Sequence, residues 1–74
     1  MSEKLASIFI AKVKGRLLEF GWTQQDLADA IGKQKAYVSH LLTGHRKPGL
    51  DTLEKISKAL EVDASWLISE KVEV

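Results

Sequence analysis

Two short helical patterns on either side of a glycine, within residues 23–44, constrain the fold of this chain more than any other feature. Apolar residues recur at steps of three and four before and after Gly32. They are Leu27, Ala28 and Ile31, then Val38, Leu41 and Leu42. Helices this short cannot bury their apolar faces alone, so other elements must cover them. A helix pair with such a turn is suited to holding its second helix in a DNA groove.

Length and composition indicate one small domain. The chain has 74 residues, near the lower end of what a single apolar core can stabilise. It contains no cysteine, so it has no disulfide framework and no thiolate metal site, which suits a reducing compartment. Nothing resembles a signal peptide, and no stretch approaches membrane-spanning length. We therefore expect a cytoplasmic protein.

The charge is small but unevenly distributed. The net charge is only +1, yet no acidic residue lies between Asp29 and Asp51. That interval contains Lys33, Lys35, His40, His45, Arg46 and Lys47, and a second basic cluster contains Lys12, Lys14 and Arg16. A one-sided field of this kind is typical of a small phosphate-binding domain. The alternative is a solvated face without function.

The N-terminal pattern predicts a long first helix, from about Ser2, which can cap it, to Phe20. Its apolar face consists of Leu5, Ile8, Phe9, Val13, Leu17 and Phe20. Gly15 interrupts the pattern and marks either a bend or the close approach of a neighbour. Gly21 follows the expected helix end, where a positive φ is needed.

The next two helices are delimited by capping residues. Thr23 is expected to cap the second helix, with Asp26 completing a variant of the capping box. This helix should end at Gly32. A third helix is expected over residues 35–42, ended by Gly44.

Two further helices complete the expected all-α domain. A fourth helix is predicted over residues 50–60, and a short fifth one, capped by Asp63, through about residue 69. The residues expected to face the core from these helices are Leu50, Leu53, Ile56, Ala59, Leu60, Trp66 and Leu67. We thus predict one domain over residues 1–69 and a short tail over residues 70–74.

In this arrangement the chain resembles the lambda-repressor-like helix-turn-helix family (Cro/C1-type, XRE), which includes the Cro and repressor proteins of temperate phages. The resemblance covers roughly residues 9–68 and is carried by GWTQQDLADAIG, YVSHLLTG and KPGLDTLEKISKALEVDASWLI. It implies a compact five-helix domain in which helices 2 and 3 form the helix-turn-helix. It also implies a sequence-specific regulator that binds double-stranded DNA, a repressor of phage or bacterial type.

Several positions depart from the family pattern. Leu17 and Leu42 stand where members often carry an Arg–Glu ion pair, which implies apolar contact instead. Lys33 occupies a usually apolar turn position, so its stem is expected to lie on the core. Gln34 stands where Ser or Thr commonly caps the third helix and predicts a weaker cap. Glu61 replaces a common glycine, which implies either local strain or a different turn.

The third helix is expected to enter the major groove. Its inward residues turn four others outward as candidates for reading bases: Lys35, Ala36, Ser39 and His40. Lys35 and His40 can donate to guanine, and Ala36 can pack on a thymine methyl. By resemblance, Gln24 and the amide at the start of helix 2 bind one phosphate. The next phosphate is assigned to Gln34, Tyr37 and Thr43, with added charge from Arg46 and Lys47.

The resemblance further implies a two-fold dimer on a palindromic site, with half-sites roughly 34 Å apart. Dimer contacts are expected from helix 5, the tail or the loop before helix 4. Ile68, Val72 and Val74 are the candidates, unless the apolar tail has no such role.

Other functional classes find little support in the sequence. His40 and His45 lie five residues apart without a cysteine, which does not indicate a metal site. Ser39 and His40 are adjacent on a helix and point in different directions, so they are not a catalytic pair. We expect no enzyme, cofactor, small-molecule substrate or membrane partner. The alternative function is a protein-interaction module on the same fold, such as the antitoxin-like partner of a toxin.

Overall fold

Five α-helices form residues 3–69, the part of the chain that the computed structural model describes. They are α1 (Glu3–Phe20), α2 (Gln24–Ile31), α3 (Lys35–Leu42), α4 (Leu50–Ala59) and α5 (Ala64–Leu67). No strand occurs in this part, so the predicted all-α architecture of five helices is confirmed. None of its helices is long and apolar enough to cross a membrane. The proposed cap Ser2 and the tail residues Val72 and Val74 lie outside the described residues.

The apolar core draws on all five helices. Its buried side chains are Phe9, Val13, Leu17, Leu27, Ala28, Ile31, Val38, Leu41, Leu42, Leu53, Ile56, Leu60 and Leu67. Every inward residue predicted for α2 and α3 is among them. Each large aliphatic side chain that is fully buried stabilises the folded state by about 1.5–3 kcal/mol relative to an exposed one. The core therefore supplies the cover that α2 and α3 could not provide for themselves.

The prediction that Leu50 faces the core is wrong. Leu50 is 81% exposed, whereas Leu53, three residues further along the same stripe, is 6% exposed. Side chains on a helix tilt toward its N-terminus, so one in the first turn projects beyond the elements that cover the rest of the stripe. The buried face of α4 instead begins at Thr52 and Leu53.

Glycines end α1 and α2 as the sequence predicts. Gly21 and Gly32 have φ values of 68° and 71°. After α2, the Lys33 N–H donates to the Ala28 carbonyl at 2.9 Å, which closes the helix end. A Cβ added to Gly15 would meet nothing within 4 Å, so the close approach of a neighbour does not explain that glycine.

Glu61 adopts the left-handed conformation that glycine usually provides. Its φ is 58°, and the following Val62 N–H donates to the Ser57 carbonyl at 2.9 Å. The turn thus keeps the hydrogen-bonding pattern of a glycine turn and carries a non-glycine residue. A left-handed residue with a Cβ costs about 1–2 kcal/mol. Of the two alternatives for Glu61, the structure shows local strain.

Asp63 does not cap α5 with its side chain, contrary to the sequence prediction. Asp63 is exposed, and its carbonyl rather than its carboxylate accepts from the Trp66 N–H at 3.1 Å. The helix is also shorter than predicted, because it ends at Leu67 rather than at about residue 69.

Two basic residues of α1 hold the C-terminal ends of α4 and α5. Arg16 Nε donates to the Leu60 carbonyl at 2.9 Å, and Lys12 Nζ donates to the Ser69 carbonyl at 2.9 Å. The Lys12 ammonium also lies 4.6 Å from the centroid of the Trp66 ring. Cations are favourable at these helix ends because the unpaired carbonyls there carry partial negative charge. The basic cluster on α1 therefore does not act as one external patch.

Candidate nucleic-acid interface

The start of α2 is fixed by a complete capping box. The Asp26 N–H donates to Thr23 Oγ1 at 3.1 Å, and the Thr23 N–H donates to Asp26 Oδ2 at 2.8 Å. Both predicted partners are thus in place. Gln24 is the first residue of the helix and is half-buried. The box sets the direction of the helix N-terminus, where the amide assigned to a phosphate lies.

The two faces of α3 are clearly divided. Val38, Leu41 and Leu42 are at most 3% exposed, so they anchor the helix in the core. The four candidates for reading bases lie on the other side, where Lys35, Ala36 and His40 are exposed and Ser39 is half-buried. The outward face of α3 is therefore available to a partner rather than packed against the domain itself.

The N-terminus of α3 is open. Gln34 has the backbone conformation of an N-cap, but its side chain makes no capping hydrogen bond, as its residue type predicted. The Gln34 side chain is exposed. It can therefore donate to an incoming acceptor without breaking an existing cap.

Thr43, assigned to a phosphate, is already engaged at the other end of α3. Its Oγ1 lies 3.0 Å from the Ser39 carbonyl and 2.8 Å from His45 Nδ1. A hydroxyl has one hydrogen, which here serves the carbonyl or the imidazole. A phosphate contact by the Thr43 hydroxyl thus requires that hydrogen to be released. The same contacts link the loop to the end of the helix.

Tyr37 connects α3 to α4 and to two basic side chains. Its hydroxyl lies 3.0 Å from Oγ1 of Thr52, which is buried. Lys33 Nζ and Arg46 Cζ lie 5.1 Å and 4.7 Å from the centroid of its ring. Lys33 is exposed and its ammonium approaches this ring, while the placement of its stem on the core stays a prediction. A cation gains electrostatic attraction over an aromatic face.

The loop after α3 carries exposed positive charge. Arg46 and Lys47 are both exposed, as their proposed role requires. The Arg46 backbone N–H donates to the His40 carbonyl at 3.1 Å, which holds this part of the loop against the end of α3. The turn before α3 and the loop after it therefore both carry exposed positive charge, and Lys33 and Arg46 bring it to the Tyr37 ring.

Apolar contact replaces the ion pair that the family often has between helices 1 and 3. Leu17 and Leu42 are both buried, and both line a surface depression of about 370 Å³. Trp22 also lines it, half-buried and in edge contact with Phe20 at a centroid distance of 5.2 Å. This packing agrees with a structural role for Trp22. Leu18, at the rim, is 83% exposed.

Comparison with known proteins identifies the class. A helix-turn-helix family model matches residues 13–67. The chain belongs to the helix-turn-helix family. This result confirms the lambda-repressor-like, Cro/C1-type resemblance proposed from the sequence.

Two similar proteins agree with this membership. Control protein C.BamHI of Bacillus amyloliquefaciens is 35% identical over 69 residues, which cover 92% of this chain and 85% of that protein. The crystal structure of the hypothetical transcription factor NHTF from Neisseria matches with a TM-score of 0.85 and 27% identity. That match covers 89% of this chain and 74% of the other. This helix-turn-helix domain is thus a DNA-binding regulator of transcription.

The structure brings most of the predicted site residues of this helix-turn-helix domain to α3 and its two flanking segments, with Gln24 at the start of α2. Sequence reasoning missed the contacts that these residues make, above all the hydrogen bond between the hydroxyls of Tyr37 and Thr52. No local pattern signals that contact, since Thr52 lies fifteen residues away on another helix. The rings of His40 and His45 lie 6.3 Å apart. Among residues 3–69, no three His, Cys, Asp or Glu side chains are grouped closely enough to hold a metal ion.

Proposed function

We propose that this helix-turn-helix domain is a sequence-specific repressor of phage or bacterial type that binds a palindromic operator as a dimer. The observation that carries the proposal is the division of α3 into a buried face and an exposed face that bears Lys35 and His40. A helix held in this way can be inserted into the major groove without distorting the domain.

The exposed face supplies the chemistry for reading bases. The Lys35 ammonium donates to guanine O6 or N7, and the methyl of Ala36 packs on a thymine methyl. Ser39 both donates and accepts, so it discriminates poorly between bases. His40 donates to guanine through a ring N–H.

Phosphate binding is assigned to the groups around that face. Gln24 and the α2 N-terminus bind one phosphate, and Gln34 binds the next. Arg46 and Lys47 add charge from the loop, while Tyr37 and Thr43 would act through groups that already have internal partners. These contacts determine affinity and register but do not read sequence. Affinity should therefore fall steeply as salt concentration rises.

Dimerisation is assigned to the C-terminal end. Ile68 is half-buried and packs against the core, which leaves part of its side chain for a second subunit. Val72 and Val74 complete the proposed contact. A palindrome read by two copies would place the half-sites roughly 34 Å apart, one turn of DNA.

Selection of bound sites from random DNA tests target and symmetry together. We expect an enriched palindromic motif, and gel-shift binding that weakens strongly between low and high salt. Recovery of a non-palindromic motif would reject the dimer but keep DNA reading. Recovery of no motif, with weak or salt-insensitive binding, would reject sequence-specific DNA binding altogether.

A second candidate function is a protein-interaction module on the same fold, such as the antitoxin-like partner of a toxin. The exposed Leu18 beside the apolar depression favours it, because large exposed apolar side chains next to a groove are typical of protein contacts. The Leu18→Ser variant distinguishes the two functions. It should leave DNA binding intact if α3 is the working surface.

A further inference from the structure

The Tyr37 hydroxyl contacts Thr52 on α4, and two basic side chains approach the Tyr37 ring. Its hydroxyl is held by Thr52, only 7% of which is exposed. A buried partner on α4 has little freedom to move, so the position of the ring is well defined. If the hydroxyl donates its one hydrogen to Thr52, it has none left for a phosphate oxygen.

The two cations at the ring come from opposite ends of α3. Lys33 lies in the turn before the helix and Arg46 in the loop after it, with Nζ and Cζ at 5.1 Å and 4.7 Å from the ring centroid. Both residues are exposed. Among residues 3–69, neither cation forms an ion pair with a carboxylate. Their charges are thus held in place by the ring without being neutralised.

We propose that Tyr37 is a positioning residue whose ring orders Lys33 and Arg46 for two phosphates that flank α3. This inference rests on the proposed function and revises the role of Tyr37 from a phosphate donor to a scaffold for two donors. Long basic side chains lose conformational freedom when they bind, and partners ordered beforehand lose less. The ring supplies that order before DNA arrives.

The arrangement can be tested in the full chain without DNA. Protons over an aromatic face are shifted upfield, so the Lys33 Hε resonance should lie upfield of that of Lys35. The Arg46 Hδ resonance should likewise lie upfield of its position in the urea-unfolded chain. Tyr37→Phe should keep the shifts because the ring remains, and Tyr37→Leu should abolish them. Unshifted resonances in the wild-type protein would overturn the proposal without any variant having to fold.

The functional role is tested with bulk duplex DNA, because phosphate contacts do not depend on sequence. In the wild-type background, Tyr37→Leu should weaken binding roughly 5- to 30-fold, the equivalent of two exposed cation–π contacts. In a background that carries Lys33→Ala and Arg46→Ala, the same substitution should have almost no effect, because its partners are gone. In the wild-type background, Tyr37→Phe should retain most of the affinity because the ring remains.

Two results of the binding experiment would overturn the proposal, and a third would reject the proposed function on which it rests. Equal losses from Tyr37→Leu in both backgrounds would show that the ring acts on its own. A loss from Tyr37→Phe as large as that from Tyr37→Leu would return the role to the hydroxyl. Absence of DNA binding by the wild-type protein, with the upfield shifts present, would reject the proposed function while leaving the arrangement of the ring intact.

Discussion

Glu61 is a left-handed residue in a turn that glycine would fit, and replacing it with glycine should stabilise the domain. The strain of a Cβ in this region is about 1–2 kcal/mol. Glycine also has more conformational entropy in the unfolded chain, which lowers the free energy of unfolding by about 0.5–1 kcal/mol. The Glu61 side chain is exposed, so its removal loses little packing. The net expectation for Glu61→Gly is a rise in the free energy of unfolding of about 0.5–1 kcal/mol.

Urea unfolding followed by far-UV circular dichroism measures this change, with a thermal midpoint expected to rise by a few degrees. One kcal/mol shifts the midpoint of a domain this small by about 4–8 °C. Glu61→Ala is the matched control, because it removes the carboxylate but keeps the Cβ and therefore the strain. It should change stability by less than about 0.5 kcal/mol.

Gly32→Ala is the reverse experiment at the end of α2. The backbone there has a φ of 71°, and an added Cβ would meet nothing within 4 Å, so only the conformation is at issue. We expect a loss of about 1 kcal/mol. Equal stabilities for Glu61→Gly and Glu61→Ala would refute the argument from strain.

Three further predictions concern DNA binding, helix ends and packing. Lys35→Ala should relax sequence preference and cost about 1–3 kcal/mol at the selected site, whereas Lys47→Ala should weaken all DNA alike and lower the salt slope by about 0.9; equal effects on both kinds of DNA in gel shifts would contradict these roles. Arg16→Ala should lower the free energy of unfolding by about 1–3 kcal/mol because it leaves a carbonyl at the end of α4 without its charged donor; urea unfolding that matches the wild type would exclude this. Leu53→Ala should lower the free energy of unfolding, measured in urea, by about 2–5 kcal/mol, and Leu50→Ala should lower it by less than about 0.5 kcal/mol. Large losses from both substitutions would contradict the finding that only Leu53 lies in the core.

The central helix pair could be predicted closely because its signals are local. Thr23 and Asp26 define the start of α2, Gly32 defines its end, and a 3.6-residue pattern then shows which side of α3 is buried. The bounds of α3 agree with the prediction, residues 35–42. These features depend on neighbours within four residues, which a sequence shows directly.

The misjudged features depend on contacts between distant segments. The partners of Lys12 and Arg16 lie 44 to 57 residues away, at the ends of helices whose positions a sequence does not give. These residues therefore resembled an external basic patch. Leu50 followed the periodicity of α4, but periodicity does not show where the covering elements stop. The proposed base and phosphate contacts stay predictions, because they require DNA.

The leucine pair between α1 and α3 has a consequence for measurement. A charged pair at Leu17 and Leu42 would be only weakly screened because both positions are buried, but it would still add a salt-dependent contribution to the packing of α3. Apolar contact is not screened by ions, and strongly hydrated salts reinforce it. Added salt should thus weaken DNA binding while α3 stays packed in the core. The slope of log affinity against log salt concentration should therefore report the counterions released on DNA binding, and not a loss of α3 packing.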